Sequence, residues 1–488
     1  MAATPKREKI SAVDTAWLRM DRPQNLMMIC GVLLFRDRVS LARLRNVIGE
    51  RFLSFRRFRQ RAVEMPGMAF WETDRHFDIE RHVVHTALPG NAGRKELQDL
   101  VSRLSTTPLD PARPMWQFHL VDNYAGGSAV VVRIHHSYAD GIALVRVMLS
   151  MTDAAPNGPP AMPFEPRPRR RAEPEDALGQ LLAPFSGAMD TARKIGATIL
   201  EKGVGLWSDP SKAVALAGQG TALTAEIAKL VLMPQDSHTR FKGAPGIGKR
   251  VAWADPLPLA DVKTIGKALG ASVNDILLSS VAGAIRAYLV DKGDAVDGVM
   301  IRALVPVNLR PMEKAYKLGN QFGLVFLELP IGIENPVERL YAVRANMNAL
   351  KGSFQPVLAL GLLAAMGAAP KALQEVLLYA LARNATSVMT NVPGPQESLY
   401  LAGKRIESMM VWVPQSGDIG MGVSILSYHG AVQFGLITDR GMCPDPEAII
   451  ERFAGEFEKL VLVTLMAPWH REGDLDAAEA AAVAGVGP

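Results

Sequence analysis

Hydrophobic and polar positions alternate between the helical and the strand period through the first part of the chain. Ser11 with Asp14 three residues later is a capping-box start, and the apolar positions after them fall on one helical face. A near-continuous apolar run of strand length occupies residues 26–35. Further patterns predict helices at 94–105 and 141–151 and paired strands at 115–122 and 128–134. This alternation predicts a mixed α/β unit over residues 1–153.

A second α/β unit is predicted after a change in composition. Residues 154–171 are rich in proline, and residues 177–232 have the pattern of an Ala-rich helical connection. From residue 246 the earlier patterns return, with a strong helix at 272–289 opened by Ser272 and Asp275. Strands follow at 301–307, 321–329, 422–428 and 431–438, and a helix follows at 447–465. We therefore divide the chain into 1–153, a connector at 154–245, and 246–488.

The composition restricts the class of protein. Of the 488 residues, 48% are hydrophobic and 21% are charged, which excludes disorder as the main state. Two cysteines, Cys30 and Cys443, cannot build a disulfide framework or a thiolate zinc site, and they suit a reducing compartment. The net charge of +5 does not demand a nucleic-acid partner. Since residues 1–9 lack the pattern of a secretory signal, we expect a cytoplasmic protein.

The strongest candidate for chemistry is the segment His135-His136-Ser137-Tyr138-Ala139-Asp140-Gly141, which follows a predicted strand and precedes a predicted helix. Loops in this position commonly carry reactive groups on a rigid scaffold. A histidine here can accept a proton near neutral pH. Asp140 can hold the loop through an ion pair, and Gly141 leaves room for a substrate beside the imidazole. The alternative is a structural paired-histidine turn fixed by a local hydrogen bond that the aspartate accepts.

This segment resembles the His-His-x-x-x-Asp-Gly motif of the CoA-dependent acyltransferase superfamily, which includes chloramphenicol acetyltransferase and peptide-synthetase condensation domains. More narrowly, the chain resembles the bacterial wax ester synthase/diacylglycerol acyltransferase family. The blocks that carry the narrower resemblance are Pro108-Leu109-Asp110-Pro111, Val273-Asn274-Asp275, Pro306-Val307-Asn308-Leu309-Arg310, Gly319-Asn320 and Asn391-Val392-Pro393-Gly394-Pro395. One departure is Leu26-Met27-Met28, where the family often has Pro-Met-His, and this change bears on acyl-chain selectivity.

The resemblance implies an α/β fold of two chloramphenicol-acetyltransferase-like domains, each a mixed sheet with flanking helices, and an active-site tunnel between them. It implies transfer of a long acyl group from acyl-CoA to a fatty alcohol or to diacylglycerol, without a further cofactor or a metal. His136 matches the family's general base, and Asn274 is a candidate for stabilising the oxyanion, with helix capping as its alternative role. Asp140 is expected to orient the loop through an arginine, either Arg310 or Arg302. The expected supporting residues are His135, Gly141, Asp275 and Arg310.

Three alternatives accompany this interpretation. One is another enzyme of the superfamily, with a carrier-protein-bound donor or a different acceptor, and another is a non-catalytic lipid-binding or droplet protein. The third is a phosphate-binding loop at 243–250, which the sequence disfavours because Arg250 replaces the Ser or Thr that must follow the lysine.

The water-insoluble acceptors imply peripheral association with the inner membrane face or with lipid inclusions. The candidate surfaces are two: the apolar stretch at 357–369 between Lys351 and Lys371, and the connector with Lys194, Lys202 and Lys212. For the first of these, a core helix is the equally weighted alternative.

Overall fold

A computed structural model describes residues 7–65, 68–159, 233–309, 318–350, 353, 355–371, 374–375, 378 and 382–466. The predicted helical connection at 177–232, most of the Pro-rich stretch, Arg310 and Lys351 lie outside the described residues. The boundaries of the three predicted segments therefore stay predictions.

The described helices are α1 (Ala12–Arg19), α2 (Leu41–Glu50), α3 (Arg94–Ser105), α4 (Gly141–Met151), α5 (Leu259–Ala268), α6 (Val273–Asp291), α7 (Pro336–Ala349), α8 (Gln355–Ala368) and α9 (Glu447–Met466). The described strands are β1 (Arg7–Lys9), β2 (Met28–Phe35), β3 (Gln60–Met65), β4 (Met68–Thr73), β5 (Val83–Thr86), β6 (Trp116–Tyr124), β7 (Gly127–His135), β8 (Lys249–Trp253), β9 (Leu257–Pro258), β10 (Met300–Asn308), β11 (Phe322–Pro330), β12 (Ser387–Pro393), β13 (Tyr400–Leu401), β14 (Lys404–Arg405), β15 (Ser408–Trp412), β16 (Met421–Tyr428) and β17 (Ala431–Asp439).

Two mixed sheets with flanking helices form the fold, as predicted. The first sheet has the order β15-β2-β7-β6-β5, and the second has the order β11-β10-β12-β16-β17-β8 with β9 paired to β17. A small third sheet, β1-β4-β3, was not predicted. The predicted capping signals are confirmed, because the Ser11 side chain accepts from Asp14 N–H and the Ser272 side chain accepts from Asp275 N–H.

Two elements cross between the units that the sequence divides. Strand β15 comes from the second half of the chain but pairs antiparallel with β2 in the first sheet. Helix α1 comes from the first half but packs against α8 in one apolar core with Phe322 of β11. The contact is close, since a Cβ on Gly367 would lie 1.5 Å from the carbonyl oxygen of Ala12. Each unit therefore contributes an element to the other, β15 to the first sheet and α1 to the core around α8.

The apolar stretch at 357–369 is a core helix. Val357, Leu360 and Leu363 of α8 are each 1% exposed, so this stretch cannot be the membrane-facing surface that the sequence allowed. Among the described helices, α6 alone is long and apolar enough to cross a bilayer. Most of its side chains are instead buried in the core of the second unit.

Candidate active site

The paired histidines lie at the carboxyl end of β7, where two backbone hydrogen bonds hold the chain. The N–H of His135 donates to the carbonyl of Met115 at 3.0 Å, and the N–H of His136 donates to the carbonyl of Met27 at 2.7 Å. Met115 directly precedes β6 and Met27 directly precedes β2. The turn is therefore fixed to both neighbours of β7 in the first sheet.

His135 is bound mainly within its own turn. Its Nδ1 accepts from the backbone N–H of Ser137 at 3.2 Å and lies 2.8 Å from Ser137 Oγ. Its Nε2 lies 3.9 Å from Asp21 Oδ1. Burial lowers the pKa of His135 to about 3, and the neighbouring His136 adds to the shift. These contacts suit the supporting role that the sequence suggested.

The imidazole of His136 lies between aromatic rings from both units. It stacks on Trp17 of α1, with 4.2 Å between ring centroids and 18° between planes. Phe322 of β11 lies on a tilted approach, 5.5 Å away. Burial lowers the pKa of His136 to about 4, although the charge of Asp140 opposes the shift. The ring is therefore neutral at pH 7 and able to accept a proton.

Asp140 joins the two units through backbone N–H groups. One carboxylate oxygen accepts from Ala143 N–H at 2.9 Å and so caps α4. The other accepts from Gln321 N–H, next to β11, at 3.1 Å.

The sequence suggested two arginines as ion-pair partners of Asp140. Arg302 is excluded, because its guanidinium bonds to Glu328. It also lies on β10 six residues before Asn308, the strand end near Gln321, and six strand residues span about 20 Å. The other candidate, Arg310, lies outside the described residues. Next to Asp140, a Cβ on Gly141 would meet open space.

A second inter-unit link reaches His136 through its backbone. Asn320 Nδ2 donates to the carbonyl oxygen of His136 at 2.9 Å and to Asp14 Oδ1 at 2.8 Å. The backbone N–H of Asn320 also donates to Asp14 Oδ1, at 2.9 Å. Burial raises the pKa of Asp14, and the hydrogen bonds from Asn320 and Ser11 oppose the shift. Helix α1 thus contributes both the ring stacked on His136 and the carboxylate that anchors Asn320.

The Asn-Asp motif meets another of the resembling blocks. Asn274, in the first turn of α6, accepts at Oδ1 from Asn391 Nδ2 of β12 at 2.6 Å. Asp275 accepts from the backbone N–H and hydroxyl of Ser272 at 2.9 and 2.7 Å, which completes the capping box. Asp275 is therefore a helix-capping residue in this fold. The Asn391 contact fixes the amide of Asn274, so its Nδ2 group is the side left to donate.

Four residues acquire a place in the site only in the structure. They are Asp14, Trp17, Asn320 and Asn391. Asp14 belongs to the predicted capping box, Trp17 is one of the apolar positions that follow it, and Asn320 and Asn391 belong to the blocks that carry the family resemblance. The sequence patterns therefore contained all four residues. They did not predict the contacts between them, which join positions up to 306 residues apart.

A cleft of about 680 Å³ opens beside the histidine turn. Its size falls within the range of about 300–1,000 Å³ that is usual for small-molecule sites. The walls are mostly apolar, with His135 and the charged side chains of Asp21 and Lys371 among them. They come from α1, the β3–β4 hairpin, residues 108–115 and the end of α8. Among the described residues, no group of three His, Cys, Asp or Glu side chains could hold a metal ion.

Comparisons with known proteins found family models and relatives that match most of the chain. Residues 10–277 match the sequence model of the wax ester synthase/diacylglycerol acyltransferase catalytic domain, and residues 318–461 match the WS/DGAT C-terminal domain. A putative diacylglycerol O-acyltransferase of Mycobacterium bovis is 31% identical over 432 residues, 86% of this chain and 82% of that protein. A probable diacylglycerol O-acyltransferase of Mycobacterium tuberculosis is 29% identical, over 80% of this chain and 83% of that protein.

Two solved structures are similar in fold. The wax ester synthase/diacylglycerol acyltransferase of Marinobacter aquaeolei VT8 has a TM-score of 0.67 and 21% identity, covering 94% of this chain and all of that one. A starter condensation domain of rhizomide synthetase in complex with C8-CoA has a TM-score of 0.54 and 12% identity, covering 94% of each chain. Both likenesses confirm the predicted fold class.

Proposed function

The chain belongs to the wax ester synthase/diacylglycerol acyltransferase family, and from this premise we propose how its residues carry out the transfer. The enzyme is an O-acyltransferase that moves an acyl group from acyl-CoA to a hydroxyl, that of a fatty alcohol or of diacylglycerol. The observation that carries the mechanism is the neutral, buried imidazole of His136 at the interface of the two units. It is a general base in the position where both units meet.

His136 takes the proton of the acceptor hydroxyl as the hydroxyl oxygen attacks the thioester carbonyl carbon. The carbon–sulfur bond then breaks, and the protonated imidazole returns the proton to the departing thiolate. The products are the ester and free CoA, and the enzyme returns to its starting state without a covalent intermediate. Because burial lowers the pKa of His136 to about 4, the ring is neutral at pH 7, and its unprotonated nitrogen can accept the hydroxyl proton in the first step.

Asn320 orients the base. Its side chain raises the pKa of His136 through hydrogen bonding, against the larger effect of burial. It also holds the His136 carbonyl and Asp14 together. In the neutral imidazole one ring nitrogen carries a proton, and the other is the nitrogen that accepts the hydroxyl proton. Asp140 holds the following turn against the second unit by accepting from Gln321 N–H.

The thioester oxygen becomes negatively charged during the attack and needs fixed donors. Asn274 is suited to this role because Asn391 holds its Oδ1, which directs its Nδ2 group away from that contact. Its place in the first turn of α6 adds the favourable field of a helix N-terminus. The expected catalytic residues are therefore His136, Asn274 and Asp140, with Asn320 as a positioning residue.

Thiol release from a long-chain acyl-CoA tests the proposal, with hexadecanol, with diacylglycerol and with no acceptor. We expect acceptor-dependent release that falls about 10²–10⁴-fold in His136→Ala, the usual contribution of general-base catalysis. His119→Ala is the matched control, because His119 is also a buried histidine whose pKa burial lowers to about 4, on β6 outside the turn. Equal activity in wild type and His136→Ala overturns the mechanism. Release only from a carrier-protein-bound donor supports the superfamily alternative.

The pH dependence of kcat/KM provides a second readout of the same group. Protonated imidazole cannot accept the hydroxyl proton, so activity is lost as pH falls through the pKa of His136. With that pKa near 4, the acid limb lies well below the value of about 6.5 for an ordinary histidine. An acid limb near pH 6.5 in the folded protein contradicts the burial of a catalytic His136.

We also propose that the enzyme binds peripherally to a lipid surface, where its water-insoluble acceptors reside. What supports this is the tip of the β3–β4 hairpin, where Met65 and Met68 are 43% and 45% exposed. Met65 also lines the cleft beside His135. Arg7 and Arg61 lie on the same small sheet with side chains 43% and 38% exposed, and both pair with the single carboxylate of Glu72. One positive charge therefore remains in excess among these three side chains, and a cation beside exposed apolar residues favours anionic lipid.

A further inference from the structure

The indole of Trp17 carries a polar hydrogen for which the described residues provide no acceptor. Trp17 is 6% exposed, and its Nε1 is buried without a hydrogen-bond partner among the described residues. Its surroundings are the apolar core shared by α1, α8 and β11. Buried tryptophans usually place this N–H on an acceptor, and a buried donor without one needs a specific explanation.

The location of this donor is the reason to connect it with catalysis. The indole stacks on the imidazole of His136 with only 18° between the ring planes. In a nearly parallel stack the N–H lies in its own ring plane, so it is directed past the edge of the imidazole and not onto its face. The atoms that react at a His136 ring nitrogen also approach along the edge of that ring, because its lone pair lies in the ring plane. The N–H of Trp17 therefore belongs to the ring that lies directly against the base, with 4.2 Å between the ring centroids.

Other buried polar atoms around the same ring also lack partners in the part of the chain that the structure describes. They include Nδ1 of His136 and Oδ1 of Asn320. The apolar side chains of Met20, Met27 and Phe322 belong to the same core cluster as Trp17. A donor in such low-dielectric surroundings interacts more strongly with a developing negative charge than it would in water.

We propose that Trp17 is a catalytic residue whose Nε1–H donates a hydrogen bond to the thioester carbonyl oxygen as that oxygen becomes an oxyanion. When the acceptor oxygen adds to the carbonyl carbon, the carbon–oxygen π electrons move to this oxygen, and they return when the carbon–sulfur bond breaks. Trp17 gives up no proton in either step. This inference rests on the proposed function and adds a second donor, from the first unit, to Asn274 of the second.

The test removes the N–H and keeps the ring. Trp17→Phe retains an aromatic stack on His136, and site-specific replacement of Trp17 by benzothienylalanine retains the whole bicyclic shape with sulfur in place of N–H. The matched control is Trp412→Phe, since Trp412 is 1% exposed and its Nε1 is likewise without a partner among the described residues. Trp412 packs against Trp253 in a different core cluster.

With a long-chain acyl-CoA and hexadecanol, we expect kcat to fall about 10²-fold in both Trp17 replacements, the lower end for loss of one oxyanion donor. The KM for acyl-CoA and the acid limb of the pH profile should stay unchanged, because stacking and the base are retained. Trp412→Phe should keep the wild-type kcat. If kcat falls in Trp17→Phe but stays at the wild-type value with benzothienylalanine, the indole acts through packing and the proposal is overturned.

Two further outcomes also overturn the proposal: an unchanged kcat in both replacements, or a raised KM with unchanged kcat. The proposed function fails separately, if wild type releases no thiol or if His136→Ala is as active as wild type.

Discussion

Replacing Asn320 by alanine tests whether the link between the two units positions the base. Asn320 is 4% exposed, and its Nδ2 donates to the His136 carbonyl and to Asp14 Oδ1. Alanine removes both side-chain bonds but keeps the backbone bond to Asp14. A buried acceptor left without its donor costs about 1–3 kcal/mol, and this applies to the His136 carbonyl, since Asp14 Oδ1 keeps the backbone N–H of Asn320. We therefore expect the free energy of unfolding to fall by about 1–3 kcal/mol. The turn that carries His136 also loses its attachment to the second unit.

Loss of this attachment should reduce catalysis as well as stability. A displacement of about 1 Å at a reacting group can cost about 10²-fold in rate. We therefore expect kcat of Asn320→Ala to fall by about 10–10²-fold in the protein that remains folded. Urea denaturation measures the first effect, and thiol release from acyl-CoA with hexadecanol measures the second. Both assays use the same preparation, so that the rate is expressed per folded enzyme.

Asn346→Ala is the matched control. Asn346 of α7 also donates from Nδ2 to a backbone carbonyl, that of Glu328, at 2.9 Å, but it has no contact with the histidine turn. We expect about 1 kcal/mol of lost stability and an unchanged kcat. If Asn320→Ala loses stability and keeps the wild-type kcat, Asn320 only joins the units and does not position His136. If it loses neither, the reasoning about its buried hydrogen bonds is wrong.

Two further predictions concern the helix contact and the lipid surface. Gly367→Ala should destabilise the protein by about 3 kcal/mol or more and lower activity, because the new Cβ meets the Ala12 carbonyl. Gly455→Ala is the control, since nothing lies within 4 Å of its new Cβ, and it should stabilise α9 by about 0.5–1 kcal/mol. Equal melting temperatures for the two variants would contradict the close packing of α1 on α8. Met68→Asp should weaken binding to anionic phosphatidylserine vesicles at low salt more than Ile247→Asp does, and cosedimentation that is equal in both variants argues against the hairpin as the binding surface.

Local patterns in the sequence were sufficient for several features of this protein. The capping pairs Ser11 with Asp14 and Ser272 with Asp275 act within one helical turn, so their residue types determine the contact. The run at 26–35 became β2 (Met28–Phe35), and the histidine segment lies between β7 and α4 as the pattern indicated. The family and the two-sheet fold were also recognisable, because the motifs occur in order along the whole chain.

Tertiary structure alone decided which of these residues meet. The sequence suggested Arg310 or Arg302 as the partner of Asp140. Arg302 lies elsewhere on β10, and Arg310 lies outside the described residues, so that half of the prediction stays a prediction. The structure adds contacts from the backbone N–H groups of Ala143 and Gln321. Backbone donors are available at every residue except proline, so no side-chain pattern announces them. The apolar stretch of α8 likewise had two possible neighbours, lipid or protein, since hydrophobic burial has no direction of its own.

The site itself is assembled from segments that hydrophobic periodicity cannot align. Asn320 lies 306 residues from Asp14 and 184 residues from His136, yet one amide group bonds to both. The stack of Trp17 on His136 depends on α1 crossing to α8, and the first sheet depends on β15 returning from the second half of the chain. Periodicity reports which face of an element is buried, but not which distant element covers it. The sequence therefore determined which side chain is proposed as the base, and the interlocking of the two units determined its surroundings and lowered its pKa.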